Sequence, residues 1–83
     1  PVYINKIGPK KGGAFITFGK KFKNDKNNFN LSENSNLKEV ASNLYDTMRK
    51  IKKKKFKSIS VCRIPNFGIG YAINDRLKKA SYK

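Results

Sequence analysis

One amphipathic segment between β-favouring runs constrains the fold of this chain more than any other feature. Residues 36–53 carry apolar side chains at intervals of three and four, which lines one face of an α-helix. The run "AFITFG" (14–19) precedes this segment and "SISVCRI" (58–64) follows it. Strands separated by a helix of this length favour a parallel, right-handed βαβ crossover. The face that we expect to be buried consists of Leu37, Val40, Ala41, Leu44, Tyr45, Met48 and Ile51.

The remaining segments complete an α/β pattern. "PVYIN" (1–5) and "FNLS" (29–32) are typical of short strands, and "AFITFG" suits a strand that is covered on both faces. A second helix is predicted over 69–80. The sequence therefore predicts a small α/β domain with two or three layers, a mainly parallel sheet of about four strands and two principal helices. The second helix is expected to bury Ile69, Ala72, Ile73, Leu77 and Ala80.

The ends of the first helix carry recognisable signals. Asn36 is a candidate N-cap, and Glu39 stands three residues later, as in a capping box. Basic residues crowd the last turns, where they suit the negative end of the helix dipole. These signals place the helix ends near residues 36 and 53.

Length and composition limit the class of protein. Eighty-three residues suffice for one small domain, 1–83, with a thin core. No apolar run approaches the roughly 18–20 residues of a membrane span, and no signal-peptide pattern opens the chain. The chain has no histidine and a single cysteine, Cys62, so an internal disulfide is impossible and a zinc site is disfavoured. We expect a cytoplasmic protein without a membrane partner, and the start at Pro1 suggests an excised fragment.

The net charge of +15 has two interpretations. Clustered cations bind nucleic-acid phosphates by releasing counterions. Alternatively, the abundance of lysine and asparagine reflects A/T-rich codons, since only Arg49, Arg63 and Arg76 are arginines. We favour the second interpretation and expect any nucleic-acid binding to be weak and non-specific. The run "KKKKFK" (52–57) is accordingly interpreted as a solvated helix end and turn in preference to an RNA contact.

The residues offer little for catalysis. The five carboxylates are scattered, Cys62 lies in a predicted strand as a small buried hydrophobe, and Asp75 is expected to form an exposed ion pair with its neighbour Arg76. We predict no catalytic, cofactor or metal residues in this chain.

Two glycines, Gly68 and Gly70, stand between the last strand and the last helix in "RIPNFGIGYAINDRLKKA" (63–80). A dinucleotide-binding loop has the pattern G-x-G-x-x-G, but Ile73 occupies the place of the third glycine. A helix N-terminus still attracts anions, so phosphate binding is one alternative. We favour the other, a sharp turn that allows close backbone approach.

The same stretch resembles a known family. "GIGYAINDRLKKA" is similar to the closing helix of the C-terminal domain of bacterial threonylcarbamoyl-AMP synthase, with matches at Gly68, Ile69, Gly70, Ala72, Ile73, Asn74, Asp75, Arg76 and Leu77. "LKEVASNLYDTMRKI" resembles that family's preceding helix, and "AFITFG", "FNLS" and "PVYIN" fit its strands.

The resemblance implies a Rossmann-like accessory domain that follows a YrdC-like catalytic domain. In that family, the catalytic domain makes threonylcarbamoyl-AMP from L-threonine, bicarbonate and ATP. The product is used to convert an adenosine of tRNA to N6-threonylcarbamoyladenosine. The ATP and magnesium contacts belong to the catalytic domain, so no cofactor is expected here. The resemblance makes Gly68, Gly70, Asn74, Asp75 and Arg76 candidate turn or interdomain residues. Two alternatives are a free-standing basic RNA-binding module and a small nucleotide- or phosphate-binding protein.

Overall fold

Four parallel strands and two helices form the domain in a computed structural model, which describes residues 2–20 and 27–81. The strands pair in the order β1-β4-β2-β3, and every pair is parallel. This architecture confirms the predicted α/β class and the mainly parallel sheet. The elements are β1 (Val2–Lys6), β2 (Ala14–Thr17), β3 (Asn28–Asn30), α1 (Leu37–Lys53), β4 (Ile59–Cys62) and α2 (Ile69–Ser81).

Strand β4 lies between β1 and β2. Its first residue, Ile59, pairs with Val2 on one side and with Ala14 on the other. All four residues of β4 are buried, as are all four of β2. Both strands are therefore covered on both faces, as their continuous β-favouring runs predict.

Both helices pack on the same face of the sheet. Side chains of α1 and α2 share one apolar cluster with alternate residues of β2 and β4, and the two helices contact each other. Alternate residues of a strand point to the same face, so the described residues form two layers. Leu44 and Ile73, which we predicted to be buried, are only 2% and 3% exposed. The cluster contains Ala14, Ile16, Leu31, Val40, Leu44, Ile51, Ile59, Val61, Ile64, Ile73 and Leu77.

The start of α1 is capped as predicted, with one difference. The Asn36 side-chain oxygen accepts hydrogen bonds from the backbone N–H groups of Lys38 and Glu39, at 2.9 and 3.3 Å. The backbone N–H of Asn36 donates to the Ser32 hydroxyl at 3.0 Å. Ser32 therefore takes the place that a capping box would give to the Glu39 carboxylate.

The predicted buried faces of both helices were too wide. On α1, Ala41 is exposed and Tyr45 is 62% exposed; on α2, Ile69 is 41% exposed, and Ala72 and Ala80 are exposed. Each helix turns by about 100° per residue, so a residue next to a buried one faces away from the sheet. A small sheet covers only the narrow stripe of each helix that faces it.

The structure describes residues 2–20 and 27–81 and leaves out a polar segment between β2 and β3. The polar segment "KKFKNDKNN" (20–28), whose composition is typical of a loop with turn residues, falls largely outside the described part of the chain, because residues 21–26 are not described. Within residues 2–20 and 27–81, neither helix has the length and apolar character needed to cross a bilayer.

The core assignment gives a direct test. Leu44→Ala is expected to lower the free energy of unfolding by about 2–4 kcal/mol, because the side chain is buried and leaves a cavity between α1 and the sheet. Urea denaturation measures the change. Ser42→Ala, at an exposed position of the same helix, is the control and should change stability by less than about 0.5 kcal/mol. Equal effects of the two substitutions would contradict the core assignment.

Candidate functional site

The connection from β4 to α2 is built around the two glycines. Gly68 has φ +56°, a left-handed conformation that glycine adopts without steric cost, and its carbonyl accepts a hydrogen bond from the Tyr71 N–H at 3.1 Å. Gly70 is buried in the first turn of α2, and a Cβ there would collide with the Pro65 carbonyl oxygen. The close approach of α2 to the end of β4 therefore depends on Gly70, and the change of chain direction before α2 depends on Gly68.

Asn74 fixes this connection to the helix. Its side-chain amide donates to the Ile64 carbonyl oxygen at 2.8 Å and to the Asn66 side-chain oxygen at 3.3 Å. One half-buried amide thus joins the second turn of α2 to both halves of the preceding loop. Asn74 therefore contributes to the shape of the connection together with Gly68 and Gly70.

Asp75 and Arg76 are exposed on α2, next to Asn74. Asp75 forms an ion pair with Lys79, at 3.2 Å between Oδ2 and Nζ. The expected pairing with Arg76 was wrong, because adjacent helical residues point in directions about 100° apart, whereas residues four apart lie on the same face. The five candidate residues therefore lie in one connection and the helix that follows it. The two glycines and Asn74 shape the connection, whereas Asp75 and Arg76 are exposed.

Large apolar side chains are exposed around the same connection. Phe67 is 70% exposed, Tyr71 63% and Ile69 41%, and Ile7, which follows β1, is 95% exposed. Our reading of the sequence missed Phe67 and Tyr71 as surface residues. An aromatic residue between Asn66 and Gly68, in a segment that must turn, was the available signal.

A cleft opens beside these residues at the carboxyl edge of the sheet, which is the edge where the parallel strands end. It is an open groove with a volume of about 1120 Å³, slightly above the roughly 300–1,000 Å³ of typical small-molecule pockets. Open α/β sheets bind ligands at this edge. The lining comes from the ends of β1, β2 and β4 and from α2, and includes Lys6, Ile7, Phe18, Gly19, Arg63, Asn66, Tyr71, Asn74, Asp75 and Lys78.

The groove suits recognition better than acid–base chemistry. Its polar side chains include ammonium and guanidinium groups, which only donate hydrogen bonds, and amide and phenol groups, which both donate and accept. Asp75 is the one carboxylate among the lining residues, and Lys79 engages it. In the described ranges, no three side chains of His, Cys, Asp or Glu come together as metal ligands. Cys62 is buried in β4 at 3% exposure, as predicted for a small hydrophobe.

The two glycines give a paired test of this geometry. Gly70→Ala is expected to destabilise the domain by about 1–3 kcal/mol, because its methyl group must displace the Pro65 backbone. Gly68→Asn is expected to cost less than about 1 kcal/mol, since asparagine tolerates positive φ and the space there is open. Thermal melting of both variants measures the two losses of stability. A larger loss for Gly68→Asn would contradict the assignment of the close contact to Gly70.

Comparison with known proteins agrees with the sequence resemblance. The model of the family described as "threonylcarbamoyl-AMP synthase, C-terminal domain" matches residues 3–81 of the 83. No curated protein and no solved structure gives a significant match. The matched range includes all four strands and both helices apart from the first residue of β1. The chain belongs to the family of C-terminal domains of threonylcarbamoyl-AMP synthase.

Proposed function

We propose that this chain is a non-catalytic accessory domain that packs against a YrdC-like catalytic domain in a cytoplasmic threonylcarbamoyl-AMP synthase. Domains of this family normally accompany such a catalytic domain. In the proposed enzyme, the catalytic domain joins L-threonine, bicarbonate and ATP, and the product serves tRNA modification. The match over residues 3–81 is the single observation that carries the proposal.

The chemistry of the groove supports an accessory role. Magnesium sites that serve phosphate chemistry use one or two carboxylates, whereas the groove offers Asp75, which Lys79 already engages. The residues that line the groove are therefore a poor fit to a magnesium–ATP site. We assign the ATP and magnesium contacts of the synthase to the catalytic domain.

The exposed apolar residues around the β4–α2 connection support a docking surface. We define this docking surface as Ile7, Phe67, Ile69 and Tyr71, with the polar residues Asn74, Asp75 and Arg76 beside it. Apolar side chains grouped near one end of a small domain favour contact with a partner, and a polar rim is typical of such interfaces. We propose that the catalytic domain covers this surface, and that Gly68 and Gly70 shape it without holding a nucleotide themselves.

Activity is tested with the separated domains. The chain alone, with ATP, L-threonine, bicarbonate and magnesium, is expected to release no pyrophosphate above a no-protein control, because the described residues that line the groove form no acid–base or metal set. Addition of its catalytic domain should give turnover. Pyrophosphate release by the chain alone would contradict the non-catalytic assignment.

Docking is tested with two tyrosines of matched exposure. Tyr71→Ser, in the docking surface, is expected to weaken binding to the catalytic domain at least tenfold, as for a central aromatic residue of an interface. Tyr45→Ser on α1 is the control: the two side chains are 63% and 62% exposed, so their loss should affect folding alike. Calorimetric titration measures the affinities, and thermal melting checks the fold. Equal weakening by both substitutions would place the interface elsewhere.

A further inference from the structure

The fold brings two lysine runs that are distant in sequence to one edge of the sheet. All strands are parallel, so the segments that precede them lie at a common amino edge, the edge where the strands begin. Lys10 and Lys11 precede β2, and residues 52–57 end α1 and lead into β4. We define the amino-edge lysine cluster as Lys10, Lys11, Lys52, Lys53, Lys54, Lys55 and Lys57.

Backbone hydrogen bonds hold the two runs together. The Lys57 N–H donates to the Gly12 carbonyl oxygen at 3.0 Å, and the Ala14 N–H donates to the Ser58 carbonyl oxygen at 2.9 Å. The stem of Lys57 lies against Gly12, where a Cβ would stand 3.1 Å from its Cδ. The juxtaposition of the two runs is therefore part of the sheet structure.

Aromatic rings orient two of these lysines. The Lys10 ammonium lies 4.4 Å from the ring centroid of Tyr3, and the Lys54 ammonium lies 5.9 Å from that of Phe29. The ring of Phe29 in turn packs edge-on against Phe56, with 5.9 Å between centroids. Cation–π contacts leave the ammonium N–H groups free to bind an anion.

No carboxylate lies in the segments that form the cluster. Residues 2–20 and 47–74 contain neither aspartate nor glutamate. Asp46 precedes Lys52, the nearest lysine of the cluster on α1, by six residues, which is about 9 Å along the helix, and thus beyond the roughly 8 Å Debye length at physiological salt. Within the described residues, none of the seven lysines is in an ion pair. The cluster is a local excess of positive charge without internal compensation.

The run 52–57 by itself suits a solvated helix end, but the structure joins it to the segment of Lys10 and Lys11. We propose that the amino-edge lysine cluster, which combines both runs, binds the phosphate backbone of RNA. Seven exposed ammonium groups on one edge provide the phosphate contacts of a sequence-independent RNA-binding surface. A bilayer surface fits less well, because stable membrane binding by a basic patch needs an apolar or lipid anchor beside it. None of the large hydrophobic residues that are exposed in the described ranges lies in 8–13 or 52–58. The choice of RNA over DNA rests on the proposed role in tRNA modification.

The test compares two variants of equal charge. The cluster variant combines Lys11→Gln, Lys52→Gln, Lys53→Gln and Lys55→Gln; the control combines Lys6→Gln, Lys20→Gln, Lys38→Gln and Lys78→Gln. All eight side chains are exposed, and each variant loses four charges. Fluorescence anisotropy with a labelled stem-loop RNA, from about 50 to 200 mM salt, gives affinity and salt dependence. Circular dichroism and thermal melting confirm that both variants fold.

The cluster variant is expected to lose at least tenfold in affinity at the low salt, and the control less than threefold. For the cluster variant, the slope of log K against log salt should fall in magnitude by about 3, since four phosphate contacts are lost and each contributes roughly 0.7–0.9. Equal losses in both variants would overturn the proposal, because net charge alone would then explain binding. It is also overturned if the unmodified chain does not bind RNA at low salt, binds anionic phosphatidylserine vesicles more tightly than RNA, or binds one sequence tightly at the higher salt.

Failure of this inference is distinguishable from failure of the proposed function. The cluster lies at the amino edge and the docking surface at the carboxyl edge, so the cluster variant should bind the catalytic domain as tightly as the unmodified chain does. Loss of that docking in the cluster variant would overturn the separation of the two surfaces. Absence of RNA binding with intact docking would remove the RNA surface alone.

Discussion

The pairing of β4 on both sides is the constraint on which the rest of this domain depends. Strand β4 has four residues, all buried, and its ladders with β1 and β2 join the two halves of the sheet. Helix α1 leads into it and α2 leaves it, and side chains from both helices pack with Ile59 and Val61 in one cluster. A change that displaces β4 therefore disturbs the sheet, both helix contacts and both edges at once.

Parallel pairing also gives the domain two chemically different edges. At the carboxyl edge, Gly70 allows α2 to start close to the end of β4, and Phe67 and Tyr71 on either side of Gly70 are exposed. At the amino edge, the hydrogen bond between Lys57 and Gly12 brings the two lysine runs together. In our account, one edge contacts the catalytic domain while the other stays accessible to RNA.

Strong periodicity and caps made the fold predictable, whereas side-chain directions were predictable only in part. The 3.6-residue pattern of α1 and its Asn36 cap gave the correct element and start. The same pattern does not specify how wide a stripe the sheet covers, so Tyr45 and Ile69 were wrongly assigned to the core. The hydrogen bonds of Asn74 likewise became visible only in the tertiary structure, although the sequence resemblance had marked that residue as a candidate.

Some asparagines that we attributed to codon composition also form hydrogen bonds within the fold. The Asn30 side-chain amide donates to the Gly19 carbonyl oxygen at 2.8 Å, and the Asn43 side-chain amide donates to the Leu31 carbonyl oxygen at 2.9 Å.

In the proposed synthase, the carboxyl edge of this domain docks onto a YrdC-like catalytic domain. Hydrogen–deuterium exchange of the chain, alone and with its catalytic domain, tests it most directly because it reports protection segment by segment. Our account predicts slower exchange over residues 4–7 and 66–76, with no change over 10–13 and 52–58. Protection confined to 10–13 and 52–58, or no protection at saturating catalytic domain, would contradict it.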